Sequence, residues 1–503
     1  MMRVGLFLKE SSEHLAGCLR GERITPGNLW SFSFVFALIT GLVIQLFLLP
    51  VVFRSFHAGH GLLLGNDSTW FYQLAVDLSG QIRAEGWGAW ELRPFGQAPA
   101  GIMAALFVFL PPKPWVVLPL YAALFASSAS LLFLCLQQCG FTRRAAIVGV
   151  LPLLLFPSGA LLYALPHKDA FSVCGSMMFL WSLLRLGVAG QAKEAEAKRS
   201  LVAPFVLGIM GGGLVWVVRP YALEIMMGAG GVISLLATIL FLFRALRHRW
   251  RLAHASWPGL LMLWLLVFVF KVMVDGGVLL GITAAQSGAP GEALVVGEAP
   301  CNLRAQQKGT GVDKGKPEQP GVRGPVPVQE NAGACWKMSR GVPDFVEKSL
   351  QRLAAARQGY ISAQSAAASA IDQTVTFMNV RDVVHYLPRA VQIGLFAPFP
   401  THWVAPGSIA VNTFLRRIIA FEMVIWYGLF PFCLWAAARG PNREGIGIFM
   451  AYSLLSLLVF VMAITNMGTV YRMRFGFWMP MVSLALAMLV TIHEKRRQPS
   501  CAA

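Results

Sequence analysis

Charge is scarce in this chain: Asp, Glu, Lys and Arg make up 13% of its 503 residues, hydrophobic residues make up 56%, and the mean hydropathy is positive. That balance excludes a soluble multidomain protein and indicates a polytopic membrane protein, with the bilayer as its main solvent. Acidic residues are the scarcer sign, 24 against 42 basic ones, which leaves a net charge of +18. The surplus does not indicate a nucleic-acid partner, because Lys and Arg fall in short clusters between apolar runs, as in loops held at a cytoplasmic face. No CxxC and no Cys/His spacing occurs among the eight cysteines, which excludes a structural zinc finger. A cleaved leader is not expected either. The opening "MMRVGLFLKESSEHLAGCLRGERITPGN" is too polar and too long ahead of the first apolar run, so residues 1–28 are expected to stay in the cytoplasm.

What the chain has in quantity is apolar runs of the roughly 20 residues a span requires, separated by loops whose basic residues set direction. The first span, Leu29 to Phe53, runs outward into a loop over 54–98. The run "PAGIMAALFVFLPPKP" after it is too short to cross and is expected to be re-entrant or interfacial. Trp115 to Leu136 then runs inward, so that "FTRRAA" lands in the cytoplasm. Ile147 to Leu165, Phe171 to Leu186, Leu201 to Val218, Ile225 to Phe243 and Leu260 to Leu280 alternate and complete a transmembrane module over 29–282. A large extracytoplasmic loop over 283–402 follows. Within 403–493, Ile418 to Ala438, Ile446 to Thr465 and Phe477 to Ile492 return the chain to a cytoplasmic tail at 494–503. The expected fold is all-α, with about ten transmembrane helices and both termini cytoplasmic.

The large loop divides in two. Gly288 to Gly341 is rich in Gly, Pro, Gln and Lys and cannot bury a core by itself. It holds Cys301 and Cys335, the two cysteines of the outer face, which an oxidising periplasm lets pair and which otherwise stay free thiols. The stretch "PDFVEKSLQRLAAARQGYI" is expected to form a helix, with an apolar stripe, Asp344 early and Arg357 late, as suits its dipole. "YLPRAVQIGLFAPFPTHW" is expected to be a proline-broken apolar segment resting at the outer interface.

With this topology, the unusual polar residues collect on one face: Asp67 and Asp77, Lys168 and Asp169, Arg219 and Glu224, Lys271 and Asp275, Arg472 and Arg474. Ionisable groups at membrane depth are costly, so their convergence suggests a shared polar cavity, although any single Arg at a span end also snorkels to headgroups. Lys271 and Asp275 stand four apart on a helix and are expected to neutralise each other. Asp67 has two readings. A carboxylate just outside the bilayer serves as a general base for an attacking hydroxyl or amine, most effectively when burial lifts its pKa. The same residue in "GNDSTWFYQLA" also suits an Asx turn or helix N-cap. Arginines meet the complementary need, gripping phosphate oxygens and stabilising a departing phosphate.

The outer-loop Asp in "DSTWFYQLAVDL", then "RPFGQAPAG" opening an apolar run, then "FPSGALLYALPHKDAF" about a hundred residues after the first Asp together resemble the N-terminal half of the GT-C membrane glycosyltransferases. The similarity is to the bacterial branch of the protein O-mannosyltransferase and aminoarabinose-transferase type, and it covers about residues 29–190. It implies that Asp67 is the catalytic acidic residue of the first outer loop and that Asp169 is the second acidic residue, in the next. It also implies a polyprenyl-phosphate-linked sugar donor, a glycan, lipid or protein acceptor, and a site facing the periplasm of a bacterial inner membrane. Lys168, Arg219, Arg472 and Arg474 would then grip the lipid phosphate. Asn66 precedes Asp67 where relatives carry an acidic pair, which weighs against a carboxylate-pair metal site and leaves a divalent cation as an open requirement. "KD" after one span and "RP" after the next also resemble O-antigen and exopolysaccharide polymerases and ligases, in which Arg357 and Arg389 would be the functional arginines. A transporter or flippase is the third reading, disfavoured because no internal repeat is evident.

Overall fold

The computed structural model describes residues 24–187, 201–246, 250–279, 336–363 and 369–497. Cys301, Cys335 and most of 288–341 lie outside the described residues. The described chain is all-α, with no strand. In order its helices are α1 (Pro26–Val43, continued as a π-helical stretch over Ile44–Val52), α2 (Asp67–Glu85), α3 (Ala98–Phe109), α4 (Leu118–Gln138), α5 (Arg143–Leu155), α6 (Pro157–Ala164), α7 (Lys168–Gly187), α8 (Val202–Val218), α9 (Pro220–Leu246), α10 (Trp250–Leu279), α11 (Asp344–Ala363), α12 (Val380–Phe396), α13 (Pro400–Trp403), α14 (Ala410–Arg439), α15 (Arg443–Ala463), α16 (Met467–Met473) and α17 (Phe475–Arg497).

Among the described residues eight helices are long and apolar enough to cross a membrane, or nine if α5 and α6 count as one bent span. The protein is therefore an all-α, multi-pass membrane protein. The expected count of about ten differs at two places. Ile147 to Leu165 is not continuous: α5 and α6 meet at 67°. The cause is local, since Pro157 holds the residue before it in an extended conformation, and Phe156 has φ −66° and ψ 127°. The second is α8, whose 17 residues fall just short of a full span.

Burial separates core helices from rim helices. The apolar stretch of α17 is 78% buried and that of α7 72%, whereas those of α9 and α10 are 28% buried. On the rim, Ile39, Leu46, Ile239, Phe243 and Phe268 are more than half exposed. Such a belt is tolerable only where lipid replaces water.

The re-entrant and the proline-broken loop segments both contain helix. The re-entrant segment is the 12-residue helix α3, about 18 Å long, short of the roughly 30 Å hydrocarbon core. It lies along α2, which buries Phe71, Ala75, Leu78 and Ile82 at helical spacing against Met103, Ala104 and Phe107. The proline-broken segment is broken later than Pro388: α12 runs through Pro388 to Phe396, the chain is extended at Ala397 and Phe399, and α13 starts at Pro400. Pro388 and Val384, one turn earlier, both sit on the exposed face, so the hydrogen bond the proline cannot make falls where the surroundings can supply another.

One contact fixes register at the site end of the bundle. Gly175 of α7 meets Gly211 of α8 so closely that a Cβ at Gly175 would lie 2.4 Å from the Gly211 carbonyl oxygen. Small residues let helix backbones approach this near. Because the helices run antiparallel, the contact sets Arg219, just past the end of α8, against Asp169 at the start of α7.

Candidate functional site

A cavity of about 840 Å³ opens at this end of the bundle. Asp67 enters it from the first turn of α2, where the helix dipole favours an anion. Asn66, not Asp67, is the N-cap: its side chain accepts from the Ser68 amide at 3.0 Å. This settles the capping alternative, because the Asp67 carboxylate is turned toward the cavity instead. Arg472 comes from α16, a two-turn helix started by Asn466, whose side chain accepts from the Gly468 and Thr469 amides. His167 lines the cavity from the segment between α6 and α7, and Arg416 and Asn412 enter from the first turns of α14. Those turns exist because α14 has 30 residues, about 45 Å, so roughly ten residues extend beyond a hydrocarbon core.

Four charges form a chain. Arg472 donates to Asp67 at 2.7 Å and lies 3.5 Å from the second oxygen of Asp169, whose first oxygen accepts from Arg219 at 2.6 Å. Side-chain exposure falls along it, from 47% for Asp67 and 29% for Arg472 to 2% for Asp169 and 4% for Arg219. Asp67 is therefore the member a ligand can touch, and the buried Asp169–Arg219 pair holds Arg472 from behind. Burial pushes the Asp67 carboxyl up, but the charge and hydrogen bond of Arg472, with a contribution from His167, together outweigh it and hold the group below its ordinary value. Burial drives the His167 imidazole down to about 4 in spite of Asp169, so it is neutral at physiological pH. Burial also disfavours charge on Arg472, yet Asp67 and Asp169 together raise it.

The other expected residues sit elsewhere. Lys168 is buried with its ammonium 5.9 Å from the Phe71 ring centre and does not line the cavity. Arg474 is buried, donates to the Gly394 carbonyl at 2.6 Å and stacks on Tyr471 and Trp478. Arg357 is buried too, donating to the carbonyls of Val375, Met462 and Asp372 at 2.8, 2.9 and 2.7 Å. Arg389 pairs with Asp372 at 2.9 Å beyond the cavity. Asp77 is exposed and accepts from Gln73, Glu224 faces Arg352 at 3.5 Å, and Lys271 and Asp275 pair at 2.5 Å as their spacing suggested.

Sequence reasoning missed His167, Arg416, Ser158, Tyr471 and Glu422. For Glu422 a signal was available: it is an acid inside the apolar run "RRIIAFEMVIWYG". His167 was hidden inside "PHKDAF", where Lys168 and Asp169 drew attention first. As for a divalent cation, Arg472 lies between the two carboxylates where a metal would have to sit. Among the described residues no group of three or more His, Cys, Asp or Glu side chains is arranged to hold a metal ion. The donor set does not fit a bound metal, and no step is routed through one.

The fold and cavity define a multi-pass α-helical membrane protein with a charged, ligand-sized site at one end of its bundle. Comparison with protein-family models, curated proteins and solved structures finds no match to this chain.

Proposed function

We propose that the protein is a membrane glycosyltransferase that moves a sugar from a polyprenyl-phosphate-linked donor to an acceptor at the extracytoplasmic face of a bacterial inner membrane. The observation that carries this reading is the Asp67–Arg472 pair inside a cavity whose wall is mainly apolar with a smaller polar part. Asn66, Ser369, Asn412 and Asn466 suit the hydroxyls of a sugar, and Leu161, Leu162, Leu415, Ile418 and Ile419 suit a prenyl chain.

In this mechanism the acceptor oxygen attacks the anomeric carbon as the bond from that carbon to the phosphate oxygen breaks. The electron pair leaves on the phosphate, and the acceptor proton passes to Asp67. A carboxylate held below its ordinary pKa is a weak base, which suits a transition state of oxocarbenium character. There the sugar–phosphate bond is largely broken before the proton moves, and the attacking hydroxyl has become acidic by then. The larger contribution is electrostatic: Arg472 and Arg416 face the oxygens on which charge develops. Asp169 and Arg219 act through Arg472 as positioning residues.

The polymerase or ligase reading is weaker, since Arg357 makes its hydrogen bonds to backbone carbonyls and is not available to a glycan. The test is release of polyprenyl phosphate from polyprenyl-phosphate-linked hexoses by the full chain in nanodiscs. Asp67→Asn is expected to lower the rate about 10²- to 10⁴-fold with unchanged folding, and equal rates would remove Asp67 from the mechanism.

A further inference from the structure

We infer that Glu422 is a positioning residue for the Asp67–Arg472 pair, acting as a clamp between the broken span and the helix that carries Arg472. The inference rests on the reading of that pair given above. Glu422 lies within α14 and has no exposed surface. Its hydrogen-bond partners are a backbone amide and two hydroxyls, and the charge of Arg474 lies near it. One oxygen accepts from the Ser158 amide at 2.8 Å, and the other accepts from the Ser158 hydroxyl at 2.6 Å and from the Tyr471 hydroxyl.

The chemistry of the break explains why a carboxylate is needed there. A helix start leaves amides without intrahelical partners. At the start of α6, Pro157 has no amide hydrogen, and the N-cap residue Phe156 has no side-chain oxygen, so the Ser158 amide is left without a local partner. Glu422 supplies the missing cap from another helix, its carboxyl oxygens accepting at the positive end of the α6 dipole. Its second oxygen ties the same point to Tyr471, the residue before Arg472 in α16. Downstream of α6 the chain runs directly to His167 and Asp169, which flank Arg472 from the other side. Both halves of the Arg472–Asp169 contact thus hang from one carboxylate. Ser158 and Tyr471 also line the cavity, so the clamp forms part of its floor.

The test uses the full chain in nanodiscs, with Glu422→Ala, Glu422→Gln, Tyr471→Phe and Ser158→Ala. Hydrogen–deuterium exchange at 157–162 and 467–473 is expected to quicken together in Glu422→Ala and only partly in Glu422→Gln, which keeps one carbonyl acceptor for the Ser158 amide. Unchanged exchange in both segments overturns the clamp. In the transfer assay, kcat per folded molecule is expected to fall about ten- to a hundredfold in Glu422→Ala with the donor KM little changed, and to be partly rescued by Gln. A normal kcat per folded molecule overturns the positioning role, because a purely structural residue changes the amount of folded protein and not its turnover. Should Glu422→Ala not fold, Glu422→Gln and Tyr471→Phe carry the same two readouts. Absence of transfer by the wild type defeats the proposed function, while the exchange result still decides the clamp.

Discussion

Two arginine–aspartate groups sit outside the apolar core of this protein, and they behave differently. In the cavity, Arg472 lies between Asp67 and Asp169, with 29% of its side chain exposed. In the segment that packs over the bundle, Arg357 is buried and donates three hydrogen bonds to backbone carbonyls. Asp372 beside it has a positive φ of 48° and accepts from Arg389 and Tyr386. The contrast shows that residue type and side of the bundle do not identify a functional arginine. What distinguishes them is whether the guanidinium still faces a cavity once the surrounding backbone has taken its share of donors.

The contrast is tested most strongly at Arg472. Arg472→Gln is expected to cut transfer about 10²- to 10³-fold, measured as polyprenyl phosphate released, with little loss of folded protein. The same variant carries a pH signature. In the wild type the Asp67 carboxyl is held below its ordinary value, so activity that depends on its ionised form persists down through the ordinary carboxylate range and is lost only as pH falls through that lower folded-state value. Without Arg472, burial is the largest remaining influence and raises the carboxyl, so the acid limb of the residual rate should move to higher pH. An unmoved limb would show that Arg472 does not set the state of Asp67.

Arg357→Met should behave in the opposite way. It strands three carbonyls at roughly 1 kcal/mol or more each, so a large drop in thermal stability is expected, with turnover per folded molecule preserved. Gly175→Ala comes next: its Cβ must push α7 from α8, at about 1–3 kcal/mol, and draws Arg219 off Asp169. Gly213→Ala is the control, since nothing lies within 4 Å of the added carbon. The smallest effect is expected at Arg389, 39% exposed, where replacement by Met should cost no more than about 1 kcal/mol in a denaturation midpoint. A large loss there would erase the distinction between the two groups.

Much of the fold was legible in advance. Apolar runs located the spans, and the Asp344–Arg357 stretch was recognisable as a helix by its stripe and its charges, matching α11 over Asp344–Ala363. Phe156–Pro157 was also readable, since a proline constrains the residue before it, but hydropathy alone runs straight through the break. At the site, residues on the polar side of the bundle were recognised, and Asp67, Asp169, Arg219 and Arg472 do meet. Lys168, Arg474, Arg357 and Arg389 satisfied the same criterion and do not line the cavity, because their partners are aromatic rings, an aspartate and carbonyl oxygens distant in sequence.

By itself the sequence determined the solvent and the elements: too little charge for a water-exposed surface, apolar runs of spanning length, and an Asn-Asp start to the first loop helix. Only the tertiary structure decided which ionisable groups face one another. The Gly175–Gly211 approach and the Glu422 clamp join segments tens to hundreds of residues apart. Hydropathy is a sum along the chain, whereas an ion pair or a cap depends on distances across it, and those distances are set by helix packing.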